Sequence, residues 1–203
     1  MIKKLLAILL LIGSTMSASA EFRWGPSAGW NLTNYYWKEP LLHSAQRSGF
    51  QAGLLGEIMI PGIGFGIDLG ARYAYREATI NLGEYPVWSN QGYENGPFRL
   101  HRLEIPIHLR FKWTRMDGLE HYVAPFAFAG PVVAFNLKQS DCKAMEHPAG
   151  SLGIEVGLGG EFLEHIQLSA SYIWGVAYDM RTVKLDNNSA RSQSWNINVA
   201  YLF

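Results

Sequence analysis

Hydrophobic and polar residues alternate with a period of two along most of this chain, and the last twelve positions show it most plainly. Trp195, Ile197, Val199, Tyr201 and Phe203 fall on one parity, and Ser194, Asn196, Asn198 and Ala200 on the other. Successive side chains of a strand point to opposite faces, so the segment reads as a strand with one large apolar face and one small polar face. The last strand of a soluble sandwich is one reading. A strand with five large apolar groups on one face, running up to an aromatic residue, fits the closing strand of an outer-membrane barrel better, because that face meets lipid.

Seven earlier segments repeat the pattern. Trp24 to Leu32 sets Trp24, Pro26, Ala28, Trp30 and Leu32 against Gly25, Ser27, Gly29 and Asn31. Ser48 to Ile60 sets Phe50, Ala52, Leu54, Ile58 and Ile60 against Gln51, Gly53 and Glu57, and Pro61-Gly62 follows as a tight turn. Gly64 to Ala78 alternates most regularly, with Phe65, Ile67, Leu69, Ala71, Tyr73 and Tyr75 opposite Gly66, Asp68, Gly70, Arg72, Ala74 and Arg76. Phe98 to Trp113 places Leu103, Ile105, Ile107, Leu109, Phe111 and Trp113 opposite Arg102, Glu104, Pro106, His108, Arg110 and Lys112, and Asp117-Gly118 is a strong turn signal. His121 to Asn136 carries Ala, Pro and Val on both parities, and Pro125 and Pro131 predict bulges. Ala149 to Phe162 sets Leu152, Ile154, Val156 and Leu158 against Ser151, Gly153, Glu155, Gly157, Gly159 and Glu161. After a short turn at Leu163-Glu164, His165 to Tyr178 alternates Ile166, Leu168, Ala170, Tyr172, Trp174, Val176 and Tyr178 with Gln167, Ser169, Ser171 and Gly175.

With the terminal segment these make eight strands, and the connections between them are alternately long and short. Every long connection (33–47, 79–97, 137–148 and 179–191) lies at one end, the outer-membrane pattern of long extracellular loops and short periplasmic turns. Alternation alone does not say which face is inside. A lipocalin-like secreted barrel would bury its apolar face. Three features point the other way. The polar faces mix Gly, Ala and Ser with long charged groups, which suits a cramped eight-stranded interior. Trp24, Phe65, Trp113, Tyr122, Phe162 and Tyr201 fall near the short turns, and Tyr73, Tyr75, Trp174, Tyr178 and Trp195 towards the loops, as two aromatic girdles. No cysteine pair is present to staple a secreted barrel. The fold class expected is all-β, an eight-stranded antiparallel up-and-down transmembrane β-barrel with its polar face inward.

Composition agrees. Of 203 residues 48% are hydrophobic and 17% charged, against about 25% charged in ordinary soluble domains. Formal net charge is zero, with no basic excess to attract nucleic acid. Lys3 and Lys4, the short apolar run Leu5 to Ile12 and Ala18-Ser19-Ala20 have the form of a secretory signal peptide with cleavage after Ala20. No Cys follows that run, so a lipoprotein anchor is not expected. Residues 21–203 are then the barrel domain, with 15 basic residues once Lys3 and Lys4 are removed against 17 acidic. No later apolar run is long enough for a transmembrane helix, which leaves a closed barrel as the only way across a membrane. The one cysteine, Cys142, reads as an incidental loop residue.

Particular stretches add a resemblance. Ser48-Gly49-Phe50-Gln51-Ala52-Gly53, Leu103-Glu104-Ile105-Pro106, Ala124-Pro125-Phe126-Ala127-Phe128-Ala129-Gly130-Pro131, Gly157-Leu158-Gly159-Gly160-Glu161-Phe162 and the terminal Val199-Ala200-Tyr201-Leu202-Phe203 occur in that order. Together they resemble the PorT-like outer-membrane β-barrel family common in Bacteroidetes, over essentially the whole chain after residue 20. The Leu-Glu-Ile-Pro strand is the most specific piece. The resemblance implies an eight-stranded outer-membrane barrel. One branch of that family is tied to a gliding and protease secretion system, and nothing in these residues selects it.

The candidate chemistry lies on the polar face. Asp68, Arg72, Arg76, Arg102, Glu104, His108, Arg110 and Glu155, with Lys112 and Glu161, are expected to point into the lumen as an interior salt-bridge network. Glu104, flanked by Arg102, Arg110 and the arginines of the third strand, is expected to be its central acceptor. Glu104 and His108 lie four apart on one strand face, about 13 Å, too far for a direct acid–base pair. A polar channel or proton path is the alternative, but eight strands leave no aqueous pore. His43, His101 and His147 are too scattered along the loops to suggest a hydrolase or metal site. Ser44 and Ser140 lack a nucleophile elbow. Gly62 to Gly66 precedes no helix and is no phosphate loop. Asn31-Leu32-Thr33 and Asn187-Asn188-Ser189 match the glycosylation triplet by chance. The loop aromatics Tyr35, Tyr36, Trp37, Tyr85, Trp88 and Tyr93 suit either a binding surface or contact with lipid headgroups. The expectation is therefore a barrel with a structural, adhesive or partner-binding role through its loops. It is not a wide-pore channel and not an enzyme, and it has no cofactor or metal. Its partners are outer-membrane lipid, the barrel-assembly machinery during biogenesis, and an extracellular or envelope protein. The alternative is an outer-membrane enzyme acting on lipid or peptide from a loop-borne site.

Overall fold

The alternation closes into a barrel in the computed structural model, which describes residues 21–38, 43–60, 63–80, 96–114, 116, 118–139, 145–146, 148–182 and 189–203. Its strands are β1 (Glu21–Trp37), β2 (Ser44–Met59), β3 (Phe65–Ile80), β4 (Gly96–Lys112), β5 (Val123–Gln139), β6 (Met145–Glu146), β7 (Gly150–Phe162), β8 (Ile166–Gly175), β9 (Met180–Thr182) and β10 (Ser189–Tyr201). Eight of them, β1 to β5 with β7, β8 and β10, are the staves, each antiparallel to the next. β1 and β10 close the ring, from Ser27 opposite Ala200 to Trp37 opposite Ala190. The two short strands lie in the long connections: β9 adds to the end of β10, and β6 adds to β9. Pro61, Gly62, Asp117, Ser140, Cys142, His147, Asn187, Asn188, Tyr85, Trp88, Tyr93 and the expected signal peptide at 1–20 lie outside the described residues.

Several strands run further than alternation predicts. β1 continues through Thr33 to Trp37 along β10, and β2 begins at Ser44, so the connection between them is much shorter than 33–47. Ladder pairing continues into water beyond the apolar belt, and there polar side chains no longer mark a strand's end. β8 instead stops at Gly175 rather than Tyr178. Pro125 and Pro131 make no bulge, for β5 pairs with β7 in unbroken register from Val123 opposite Phe162 to Phe135 opposite Gly150. A proline removes a ladder donor but inserts no residue, and the pairing on either side holds the register. The irregularity in β5 falls at Leu137, the extra residue between the pairs His101–Lys138 and Arg102–Asn136. The Leu163-Glu164 turn has φ of 51° and 62° at its two central residues, and His165 N donates to Phe162 O at 3.2 Å. Positive φ at both centres gives the turn the hand that matches the twist of β7 and β8.

The apolar parity faces outward. Leu54, Leu109, Leu158, Ile197 and both aromatic girdles are on the outer surface, where lipid replaces water. β5 blurs the pattern because both its faces are apolar. Phe126 and Phe128 point into the lumen, over Gly159 and Gly157 of β7. A Cβ on Gly157 would lie 2.3 Å from the Phe128 ring, and one on Gly159 would lie 2.4 Å from the Phe126 ring. Glycine is required at both places to let the rings lie flat against the wall. At the short-turn end Leu202 is buried and Phe203 is outside, its N–H donating to Trp24 O at 2.9 Å and its ring 5.8 Å from that of Trp24.

Candidate functional site: a charge-filled lumen

Inward-facing positions of β3, β4 and β7 bring charge into a space too narrow for bulk water. The structure places Asp68, Arg72, Arg76, Arg102, Glu104, His108, Arg110 and Glu155 there, all buried, together with Lys112 and Glu161. They gather into two hubs and an upper latch rather than one centre. In the middle, Glu104 accepts from Arg72 Nε at 2.9 Å and from Arg76 Nε at 2.7 Å. Arg72 also donates to Glu155 at 2.8 Å, and Glu155 takes Ser171 Oγ at 2.6 Å and lies 3.3 Å from His108 Nε2. The expectation that Glu104 also gathers Arg102 and Arg110 is corrected. Arg102 pairs with Asp179 at 2.6 Å, and Arg110 pairs with Glu57 and Asp68, each at 2.7 Å. The reason is strand geometry: Arg110 stands six residues from Glu104 on one strand, about 20 Å away, beyond the reach of either side chain.

The second hub lies towards the short turns and centres on Glu57, which has no exposed surface. Its carboxylate takes Arg110 at 2.7 Å, Lys112 at 2.9 Å, Gln167 Nε2 at 2.7 Å and Arg23. Glu161 shares three of those donors: Lys112 at 2.8 Å, Gln167 at 2.8 Å and Arg23 at 2.7 Å. The Arg110 guanidinium also lies 4.0 Å over the Phe126 ring. Among the described residues the lumen thus balances Arg23, Arg72, Arg76, Arg102, Arg110 and Lys112 against Glu57, Asp68, Glu104, Glu155, Glu161 and Asp179, one carboxylate for each cation. A buried charge left without a partner is heavily penalised, so the matching is what allows twelve ionisable groups in one narrow space.

Glu57, Arg23, Asp179 and Gln167 are network members that the sequence reading did not single out. Glu57 and Gln167 lie at alternating positions on their strands and carried that signal. Arg23 lay one residue before the expected start of its strand. Asp179 lay in an expected polar loop, and only the fold shows that the segment turns back over the mouth. There Asp179 accepts the Ser192 N–H at 2.8 Å, and Met180 beside it is fully buried. Tyr35 is a further correction. Expected among the exposed loop aromatics, it is 2% exposed, in an apolar layer at the loop-side mouth with Ile80, Phe98, Leu100 and Met180. Its ring lies edge-on to Phe98 at 6.1 Å. It points inward because β1 continues past Thr33 in the same parity. Tyr36, next along, is exposed.

Between the hubs lies a cavity of about 60 Å3, lined by Gln51, Asp68, Arg72, His108, Phe128 and Glu155 among others. That is room for about two waters. A smaller one of about 20 Å3 lies beside Arg76 and Arg102. Neither is a path for a solute. Of the loop histidines, His101 is on the outer face, bonded to the Tyr73 hydroxyl, and His43 lies just before β2. Among the described residues no three His, Cys, Asp or Glu side chains are grouped to hold a metal ion.

A closed ring of eight antiparallel strands, with an apolar belt, two aromatic girdles and a lumen packed with paired charges, defines a small membrane-embedded barrel. The chain belongs to the outer membrane protein beta-barrel domain family, whose model matches residues 14–177. Its fold is that of solved outer-membrane barrels. OprG of Pseudomonas aeruginosa superposes with a TM-score of 0.60 at 13% identity, covering 91% of this chain and 96% of that one. Neisserial surface protein A superposes at 0.50 with 13% identity, covering 91% and 99%. No curated protein matches the chain in sequence.

Proposed function

We propose that the protein is a sealed outer-membrane barrel that anchors its long connections at the cell surface, where they act in adhesion or partner binding or support the envelope. The observation that carries this reading is the filled lumen: two charge hubs, two phenylalanines and an apolar layer at the mouth, with cavities of about 60 and 20 Å3 among them. Transport through the middle has no route, so function falls to the loops, which a rigid scaffold presents to the outside. Residues 1–20 act as the export signal, and the PorT-like branch of the family is the relationship that the Leu103-Glu104-Ile105-Pro106 strand supports.

Liposomes carrying the folded barrel should not swell in arabinose, and swelling at the rate given by a general porin would overturn the sealed-lumen reading. Replacing residues 82–94 by a short Gly-Ser linker should leave heat-modifiable folding intact and abolish whatever the wild type retains on purification from outer membranes. A linker variant that keeps the same co-purifying partners would count against a role for that segment.

A further inference from the structure

Gln51, Asp68 and His108 all line the larger lumen cavity. Each carries a buried polar atom with no hydrogen-bond partner among the described residues: Gln51 Oε1, Asp68 Oδ1 and His108 Nε2. The three residues are 2%, 2% and 4% exposed. The rest of each side chain is held in place. Gln51 Nε2 donates to Asn198 Oδ1. Asp68 Oδ2 takes Arg110 Nε at 2.8 Å and Nη2 at 2.7 Å. The His108 ring packs 4.9 Å from that of Phe128, and its Nε2 lies 3.3 Å from Glu155 without making a hydrogen bond. No one of these side chains can turn its free atom elsewhere without giving up a contact it already has. A buried acceptor without a donor is costly, and native interiors seldom keep one.

A ligand that satisfies all three atoms is narrowly specified. It is small, because the cavity is about 60 Å3. It donates hydrogen bonds, because a carboxylate oxygen and an amide oxygen are waiting for them. It is uncharged: the charged residues described along the lining are Arg72 and Arg110 with Asp68 and Glu155, two of each sign, and each arginine is already paired with one of the acids. Neither a cation nor an anion gains enough there to offset the loss of its hydration. An apolar guest leaves the acceptors bare. Water meets every condition, with two O–H groups to give, and a buried water typically makes about three hydrogen bonds.

We propose that the cavity is a binding site for a pair of ordered waters, one bridging Asp68 Oδ1 and His108 Nε2, the other donating to Gln51 Oε1, and each bonded to the other. Asp68 and His108 stand directly opposite one another on β3 and β4, so a single water reaches both. The pair carries hydrogen bonding from Asn198 of β10 through Gln51 of β2 to the β3–β4 hairpin. Water is thereby a fixed part of what ties the closing strand to the rest of the lumen.

The test uses the whole barrel folded in detergent micelles, with oxygen-17 relaxation dispersion of water as the measure of long-lived internal water. Q51L removes one acceptor of the site and no lumen ion pair, and the dispersion amplitude should fall by about one water. Q193L makes the same replacement on the outer face of β10 and should change nothing. An unchanged amplitude in Q51L, or an equal fall in Q193L, overturns the proposal. Crystals of the wild-type barrel grown in rubidium chloride decide the rest with no variant. Water density should lie within about 3.2 Å of Asp68 Oδ1 and of Gln51 Oε1, without an anomalous rubidium signal. A cavity with no density is dry, an anomalous peak there makes the ligand a cation, and either result overturns the proposal.

Discussion

Replacing Glu104 with glutamine leaves six lumen cations facing five carboxylates, and the structure says where the strain falls. Glu104 accepts three hydrogen bonds, from Arg72 Nε at 2.9 Å, Arg76 Nε at 2.7 Å and Arg76 Nη2 at 3.1 Å. Arg72 retains Glu155 at 2.8 Å. Among the described residues Arg76 retains only the Thr33 hydroxyl at 3.3 Å, so it becomes the uncompensated buried charge. Removing one partner of a buried pair costs roughly 3–5 kcal/mol. Glutamine keeps the shape and one acceptor oxygen, which places E104Q near the lower end, about 3 kcal/mol, and E104A near the upper, about 5 kcal/mol. The assay is reversible urea unfolding of the barrel in detergent micelles, followed by tryptophan fluorescence. Adding R76M to E104Q removes the stranded charge and should recover about 2 kcal/mol, since replacing both members of a buried pair is near neutral. An E104Q barrel within about 0.5 kcal/mol of wild type, or a double variant no more stable than E104Q, would refute the argument that paired charge holds the lumen together.

Leu103, the outward neighbour of Glu104, tests the opposite face: L103R should cost about 2–4 kcal/mol in lipid vesicles, and a loss below about 1 kcal/mol would contradict its placement at mid-membrane. F203D removes a ring packed on Trp24 and Tyr201 where the barrel closes, so the folded, heat-modifiable form should accumulate more slowly; an unchanged time course would show that the terminal ring is dispensable. In the short turns, the Glu164 carboxylate hydrogen-bonded to His121 raises the imidazole above 6.5, and the imidazole lowers Glu164 below 4.5. The raised His121 favours the folded state most below its unfolded pKa, and that contribution is lost as pH climbs through the folded value above 6.5. The lowered Glu164 contributes above its unfolded pKa and is lost as pH falls through the folded value below 4.5. An NMR titration should give His121 a midpoint above 6.5 that falls in E164Q, and identical midpoints in the two proteins would dissolve the pair.

The staves were legible because lipid outside and charge inside impose a strict period of two, as Phe65 to Arg76 shows. Legibility ended where that contrast did. Phe126 and Phe128 fill the lumen with the same apolar character that β5 shows to lipid, so parity there carried no sign. Thr33 to Trp37 remain in the ladder above the apolar belt, where both faces are polar or aromatic, and the buried Tyr35 looked like a loop residue. The members of the network on the polar face could be read one by one, but their partners could not. Pairing depends on the height of each residue along the barrel, which the offset of neighbouring strands sets and no single strand records. That offset gives Arg102 to Asp179 instead of Glu104, and brings Arg23 to Glu161 across the ring.

The hubs also constrain how the barrel is built. Arg72 to Glu104 and Arg110 to Asp68 span 32 and 42 residues and lie within the β3–β4 hairpin, so they form as soon as those strands meet. Arg23 to Glu161 spans 138 residues and Gln51 to Asn198 spans 147, and neither exists until β1 and β10 are side by side. In an open sheet Arg23 still has Glu57 across β1 and β2, and Glu161 still has Gln167 across β7 and β8, but the Arg23–Glu161 contact between the two sides is missing. Closing the ring adds the Arg23–Glu161 and Gln51–Asn198 contacts to the pairs that neighbouring strands already make. The interior thus ties the first and last strands to the far wall of the barrel, and the contacts that do so are made only when those strands meet in register.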